Sequence, residues 1–175
     1  MISGVSRAAS CHHRAMADDL APTDLAHLRR AIELSILARD HGNHPFGAVL
    51  VSADGRVLEA ENTALTDRDV TAHAETNLVR VAWRTLDATD LPASTLYTSC
   101  EPCAMCAGAM FWAGIGRMVY ALSGRGLIAL AESEDGGREL DLPSRDVFAR
   151  GVPVVEVWGP HLEEEAAEPH RGFWG

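Results

Sequence analysis

The chain has 175 residues, 47% of them hydrophobic, and a formal net charge of −10 at pH 7. A chain of this length can bury one core without disulfide bonds or metal staples. No apolar run reaches the roughly 20 residues that a membrane span needs, so we expect no membrane partner. All basic residues are scattered arginines, and such a surface is predicted to repel a phosphate backbone, which disfavours nucleic acid as a partner.

The beginning of the chain differs in composition from the remainder. Residues 1–20 are small and polar and are predicted to form a disordered tail, whereas residues 21–175 are predicted to form a single domain. The stretch from Met1 to Asp19 lacks the apolar segment of a secretory signal. Four cysteines, two of them in a metal-ligand motif, do not indicate a disulfide framework, so we expect a reducing, cytoplasmic location.

Helical and strand patterns alternate along the first half of the domain. Apolar spacing predicts a helix over residues 24–39, and an apolar run predicts a strand over 46–51. Asp54-Gly55 is typical of a hairpin turn that leads into a second strand over 57–62. A second helix is predicted over 72–86, with Thr71 as its cap and with Leu78, Val81 and Ala82 on its buried side.

The alternation continues to the end of the chain. We expect a strand over 94–98, a helix from Pro102 to near Gly114 and a strand over 116–122. The later segments are predicted as a loop with one helical turn (123–142), a short helix (143–149), a strand (152–157) and an acidic helix (161–170). This order predicts an α/β fold, a three-layer α/β/α sandwich around a mixed central sheet of about five strands.

Two cysteines follow a proline in Pro102-Cys103-Ala104-Met105-Cys106. If Pro102 opens a helix, the two thiols lie on one face of its first turn. The partial positive charge of a helix N-terminus, together with a bound cation, favours the thiolate form. Two neighbouring thiolates are half of a tetrahedral zinc site.

His73-Ala74-Glu75 supplies a third ligand and an acid that is not a ligand. Structural zinc sites usually have four protein ligands, whereas catalytic sites have three and keep one position for water. Zinc lowers the pKa of its bound water, and a neighbouring carboxylate such as Glu75 can accept the proton. The set of one histidine, two cysteines and one glutamate therefore indicates a catalytic site.

These motifs resemble the cytidine deaminase-like zinc deaminases, whose signature is H-x-E followed by P-C-x-x-C. The likeness covers about residues 24–122, including His44 to Val49 and Leu96 to Glu101, and is greatest to the guanine deaminase and tRNA adenosine deaminase branches. It implies one Zn²⁺ per chain, held by His73, Cys103 and Cys106. It also implies hydrolytic deamination in which Glu75 transfers the protons.

The resemblance also implies residues for substrate binding, each of which has a structural alternative. Phe46 is expected to line the base pocket rather than only begin a strand, and Asn62 to hydrogen-bond the base rather than only form a turn. The backbone N–H near Ala74 is expected to help hold the substrate. The resemblance places Trp112 close to the pocket, although a packed rather than a functional tryptophan is the simpler interpretation. Cys100 matches a position that is not a ligand in the family.

The end of the chain carries two aromatic residues that need a packing partner. Phe173 and Trp174 are predicted to belong to a C-terminal segment, residues 160–175, that closes the active site as a lid, in its own chain or in a partner. The resemblance further favours a homodimer. It also calls for an acidic residue after Ser123, for which Glu132, Glu134 and Asp135 are candidates.

The substrate is the least determined feature. Two sequence motifs favour guanine or another aminopurine: Phe46-Gly47-Ala48 and Ser99-Cys100-Glu101-Pro102. Cytosine, a nucleoside or an aminotriazine are further candidates. A tRNA adenosine deaminase is the next alternative, which the acidic charge disfavours. The last is a non-catalytic zinc module, in which Cys100 or another histidine would be the fourth ligand.

Overall fold

A computed structural model describes residues 20–131 and 140–174. Within them, five strands form one sheet in the order β2-β1-β3-β4-β5. β1 pairs antiparallel with β2 and β3, whereas the β3–β4 and β4–β5 pairs are parallel, so the predicted mixed sheet is confirmed. The strands are β1 (Gly47–Val51), β2 (Val57–Glu61), β3 (Thr95–Cys100), β4 (Arg117–Leu122) and β5 (Glu156–Trp158).

Six α-helices and two short 3-10 helices accompany the sheet in the described part of the chain. The α-helices are α1 (Pro22–Asp40), α2 (Ala74–Thr85), α3 (Ala104–Ala113), α4 (Gly124–Ala131), α5 (Ser144–Phe148) and α6 (Glu163–Ala167). The 3-10 helices are Leu91–Ala93 and Glu168–His170. None of these helices combines the length and the hydropathy that crossing a membrane requires.

Alternating side chains of the strands pack into two separate cores. In β3, Leu96 packs with the core beneath α2 and α3, whereas the next residue, Tyr97, packs with the core beneath α1 and α6. β4 alternates in the same way, with Met118 in the first core and Val119 in the second. A sheet covered on both faces is the predicted three-layer α/β/α sandwich.

Two contacts fix α1 against the sheet. Asp24, near the start of α1, accepts hydrogen bonds from Arg117 (2.9 Å) and from the Tyr97 hydroxyl (2.5 Å), and the Arg117 contact lowers the pKa of the Asp24 carboxyl. At Gly47 in β1 an added Cβ would lie 2.4 Å from the Ala31 carbonyl oxygen of α1. Only glycine allows so close an approach, which sets the position of Phe46, the residue before β1.

Both helices that carry metal ligands begin later than predicted. Thr71 does not cap α2, because its N–H and hydroxyl donate to Asp69 (2.8 and 2.6 Å) in the preceding turn, and His73 is the N-cap instead. Cys103 is the N-cap of α3, so Pro102 precedes the helix rather than opening it. The first ligand of each motif thus lies at the helix boundary, where its carbonyl accepts the first helical hydrogen bond, from Asn77 (2.8 Å) for His73 and from Ala107 (2.9 Å) for Cys103.

Other element predictions were partly wrong. Val81 is 40% exposed, although Leu78 and Ala82 are buried as predicted. The segment after β4 contains the eight-residue helix α4 rather than one turn, and Glu101 accepts a hydrogen bond from the Gly124 N–H at its start. β5 is only three residues long. Residues 1–19 of the predicted tail and the acidic candidates Glu132, Glu134 and Asp135 lie outside the described residues.

Candidate active site

Three potential metal ligands meet where α2 and α3 begin. The Cys103 and Cys106 Sγ atoms are 3.7 Å apart, and His73 Nδ1 lies 3.8 Å from the first and 3.6 Å from the second. They are the one group of three or more potential ligands found in the described residues. All three predicted ligands are therefore brought together, and Cys100 is not among them.

The spacing of these atoms agrees with tetrahedral zinc. With Zn–S near 2.3 Å and Zn–N near 2.05 Å, tetrahedral angles place two sulfurs about 3.8 Å apart and a sulfur and a nitrogen about 3.6 Å apart. The distances in this chain are 3.7 Å for the sulfur pair and 3.6–3.8 Å for the sulfur–nitrogen pairs. The donors are also those that zinc prefers, so the residues fit the metal.

The protonation of the ligands is coupled. The hydrogen bond with Cys106, and after it the one with His73, lowers the pKa of the Cys103 thiol to about 4. The same contact with Cys103 is the main cause that raises the pKa of Cys106, and the Cys103 contact also raises the pKa of His73. The thiol pair thus tends to retain one proton, which binding of a divalent cation displaces.

Glu75 lies next to the ligand set and is 5% exposed. The Thr98 hydroxyl of β3 donates to its carboxylate at 2.9 Å and fixes its orientation. Burial raises the pKa of Glu75. The Thr98 contact and the neighbouring His73 act in the opposite direction, but their effect is smaller than that of burial. A raised pKa makes this carboxylate a stronger proton acceptor than an exposed one, so it is suited to move protons between a water molecule and a bound reactant.

Glu101 connects the cysteine turn with two later helices, a role that the sequence analysis did not predict. Its carboxylate accepts hydrogen bonds from the N–H (3.0 Å) and hydroxyl (2.7 Å) of Ser144, where α5 begins, and from the Gly124 N–H (3.1 Å) of α4. Helix N-termini favour a carboxylate. An acidic residue directly before the Pro-Cys motif could have suggested that Glu101 binds a helix N-terminus.

Phe46 and Asn62 lie together beside the His73 segment. The Asn62 N–H donates to the Phe46 carbonyl (3.0 Å), and the Thr63 N–H donates to the carbonyl of Ala72 (3.0 Å), the residue before His73. The Asn62 side chain is fully buried; its oxygen accepts from the Ala64 N–H (3.0 Å), whereas its Nδ2 has no partner among the described residues. Asn62 thus holds a buried, unused donor close to the metal ligands.

Ala74 and Trp112 have contrasting environments. Ala74 is fully buried as the first residue of α2, directly after the ligand His73. The Trp112 side chain is 83% exposed and touches the edge of Phe111, with ring centroids 5.4 Å apart. Trp112 is therefore not packed in the core of its own chain, and its predicted place close to the pocket stays a prediction.

The end of the chain packs against the residues that directly precede β1. The Trp174 ring lies 5.4 Å from His44, 6.2 Å from Phe46 and 5.9 Å from His170, and Phe173 lies 5.9 Å from His44. Burial, and after it the proximity of His73, lowers the pKa of His44. The backbone contacts of Asn62 with Phe46 and of Thr63 with Ala72 connect this aromatic group with the His73 segment. The sequence analysis predicted Phe46, Phe173 and Trp174 here but missed His170.

A three-ligand metal set with a buried carboxyl, in a three-layer α/β/α domain, is the arrangement expected of a zinc-dependent deaminase. The family model for the cytidine and deoxycytidylate deaminase zinc-binding region matches residues 22–122. The chain belongs to this family.

Relatives with different substrates resemble the chain. It is 46% identical over 156 residues to a probable cytosine deaminase of Schizosaccharomyces pombe, covering 89% of this chain and 95% of that protein. It is 38% identical over 133 residues to the guanine deaminase of Bacillus subtilis, covering 74% and 83%. The solved guanine deaminase of Nitrosomonas europaea matches with a TM-score of 0.68 at 27% identity, covering 87% of this chain and 85% of that one.

Proposed function

We propose that this chain is a zinc-dependent hydrolase that removes an amino group from a free nucleobase and releases ammonia. The observation that carries the proposal is a buried carboxyl, Glu75, next to three metal ligands, with no fourth protein ligand in the cluster that the described residues form. Three ligands are typical of catalytic zinc and four of structural zinc. The alternative of a non-catalytic zinc module is therefore disfavoured.

Different residues of the chain have different roles in the proposed reaction. When bound, zinc would lower the pKa of a water molecule and so supply a nucleophile at neutral pH. Glu75 accepts one proton of that water as its oxygen bonds to the ring carbon, and passes this proton to a ring nitrogen. It then takes the second proton from the added hydroxyl group and passes it to the amino group, which leaves as ammonia as the C–N bond breaks. The Thr98 hydroxyl holds the carboxylate in place. The backbone N–H at Ala74 helps to hold the substrate.

An amino-substituted pyrimidine or purine is the proposed substrate, with cytosine and guanine as the first to test. Each base is supported by one of the relatives described above: cytosine by the probable cytosine deaminase and guanine by the guanine deaminase. The free Nδ2 of Asn62 is a donor, and both bases present a carbonyl oxygen and ring nitrogens that accept hydrogen bonds.

The arginines of the surface argue against a tRNA substrate. Arg30 pairs with Glu59 at 2.8 Å, Arg29 with Glu165 at 3.0 Å, and Arg56 with two aspartates at 2.8 and 3.1 Å. An arginine neutralised by a carboxylate does not attract a phosphate, and the chain carries a net charge of −10. A small uncharged substrate suits this surface better.

The test is ammonia release by the zinc-loaded protein from guanine, cytosine, adenine, their nucleosides and aminotriazines, with Glu75→Ala as the blank. We expect release from cytosine or guanine that is absent in the variant. Zinc content, measured by atomic emission, is expected at one per chain in both proteins. Zinc at one per chain without ammonia release from any compound would contradict the proposal.

A homodimer is the proposed assembly, with the second copy covering the Trp112 surface. Trp112 is 83% exposed and Met105, seven residues earlier on the same side of α3, is 38% exposed. Analytical ultracentrifugation is expected to give twice the chain mass for the wild type and a monomer for Trp112→Arg. As a control, Trp83→Arg changes another exposed tryptophan, on α2, and is expected to keep the dimer.

A further inference from the structure

Four buried side-chain nitrogens lack a hydrogen-bond partner among the described residues, and all belong to the surroundings of Phe46. They are Nδ2 of Asn62, both ring nitrogens of His170 and Nε1 of Trp174. Asn62 is joined to Phe46 through its backbone, while the rings of His170 and Trp174 lie 5.2 and 6.2 Å from that of Phe46.

Elsewhere in the described residues, buried polar side chains have partners. Asp24 is bonded to Arg117 and Tyr97, and Thr98 is bonded to Glu75. Most buried polar groups in folded proteins are satisfied, because an unmade hydrogen bond there is unfavourable. Unsatisfied groups collected at one place make that place a candidate site for a ligand with polar atoms.

His170 is the least expected member of this group. It is 1% exposed and stacks on Trp174, with ring planes 8° apart and centroids separated by 5.9 Å. Burial, and after it the positive charge of Arg39, lowers the pKa of His170 to about 4. The imidazole is therefore neutral near pH 7 and offers one N–H donor and one acceptor nitrogen.

Arg39, at the end of α1, holds the backbone on both sides of His170. Its Nη1 donates to the carbonyl oxygens of Pro169 (2.7 Å) and Arg171 (3.2 Å), and its guanidinium lies 5.7 Å from the centre of the Phe173 ring. One side chain thus fixes the position of His170 and of the terminal aromatic residues together. Such a support is what a residue with a defined binding role requires.

We propose that His170 recognises the substrate, donating or accepting one hydrogen bond at the base while the Asn62 amide and the Trp174 indole N–H supply further donors. Arg39 is the positioning residue of this set. The ligand class is a planar heteroaromatic base with a carbonyl oxygen and ring nitrogens, which can stack on the aromatic rings and satisfy the donors. The inference rests on the proposed function and extends it to residues outside the metal motifs.

The test compares His170→Ala and His170→Gln with the wild type, using the base that releases ammonia most efficiently. We expect His170→Ala to raise KM at least tenfold with a smaller change in kcat and with zinc at one per chain. His170→Gln is expected to recover part of the KM, because its amide again offers a donor and an acceptor. A purely structural role would not distinguish Gln from Ala in this way.

His27→Ala is the matched control, since His27 lies against Tyr97 with the same ring separation of 5.2 Å but on α1, away from Phe46. It is expected to keep the wild-type KM. Values of KM within twofold of wild type for both His170 variants, in folded and zinc-loaded protein, would overturn the inference while leaving the deaminase proposal intact.

Direct binding separates this inference from the proposed function. Isothermal titration of cytosine and of guanine into Glu75→Ala measures binding without turnover. We expect one of the two to bind, and to bind at least tenfold more weakly when His170→Ala is added. Equal binding with and without His170, or no binding of either base, would contradict the role of His170 whether or not ammonia is released.

Discussion

The metal centre and the aromatic wall differ in how they are built. We define the aromatic wall as His44, Phe46, His170, Phe173 and Trp174. The metal centre consists of short motifs at two helix starts, and its acid and ligands have partners within hydrogen-bond distance. The aromatic wall combines residues that directly precede β1 with the end of the chain, and it retains unsatisfied nitrogens. The groups that carry out the reaction thus already contact one another, whereas the proposed recognition surface still has donors that a ligand can bind.

The largest expected effect is at the metal centre. Cys106→Ala removes one of three ligands, and we expect zinc below one-tenth per chain, no measurable ammonia release and a lower melting temperature. Metal analysis and thermal unfolding check this result. Cys100→Ala is the control, since Cys100 is buried but outside the ligand set, and it is expected to keep its zinc. Full zinc occupancy in Cys106→Ala would contradict the assignment.

Glu75→Gln tests the proton carrier without changing the shape of the site. Because the amide cannot accept and return a proton, we expect kcat to fall by about 10²–10⁴-fold, with zinc retained at one per chain. Steady-state ammonia release gives kcat, and metal analysis gives the occupancy. Turnover within tenfold of wild type would exclude Glu75 from proton transfer.

Acid is expected to destabilise the aromatic wall. The pKa of His170 is about 4 in the fold against an ordinary 6.5, so its stabilising neutral form is present above pH 6.5 and is lost as pH falls towards 4. By linkage this group alone lowers the free energy of unfolding by about 2–3 kcal/mol between pH 7.5 and 4.5. Urea unfolding at both pH values measures the loss.

His170→Phe isolates this contribution, because it keeps an aromatic ring that does not titrate. Arg39, which faces His170, and His44, which shares the Trp174 contact, remain charged or titratable in both proteins, as do the metal ligands. The variant is expected to lose less stability on acidification than the wild type. An equal loss in the two proteins would refute the prediction.

The smallest expected effect comes from shortening the chain. Deleting residues 173–175 removes two members of the aromatic wall, so we expect KM to rise about tenfold or kcat to fall, while zinc content stays normal. Trp83→Ala, which removes an exposed tryptophan of α2, controls for the loss of an indole elsewhere. Unchanged kinetics in the shortened chain would mean that the C-terminal segment is not a lid.

Much of the fold followed from local patterns. Periodicity and turn residues predicted the order of the helices and strands and the mixed sheet of about five strands, and the structure confirms that order. Helix starts were displaced by one or two residues, because Asp69 engages Thr71 in a turn and because His73 and Cys103 act as N-caps. Such boundaries depend on side-chain contacts that periodicity does not encode.

The sequence by itself determined the metal ligands and the acid. Each lies in a motif of a few residues, in which residue type and spacing indicate zinc binding and proton transfer. Only the tertiary structure decided how His170 relates to Phe46, two residues 124 positions apart whose rings are 5.2 Å from each other. Arg39 gave no sequence signal either, because its bonds go to backbone carbonyls that any residues would supply. Contacts between distant segments depend on how the layers pack, and local sequence patterns do not predict that packing.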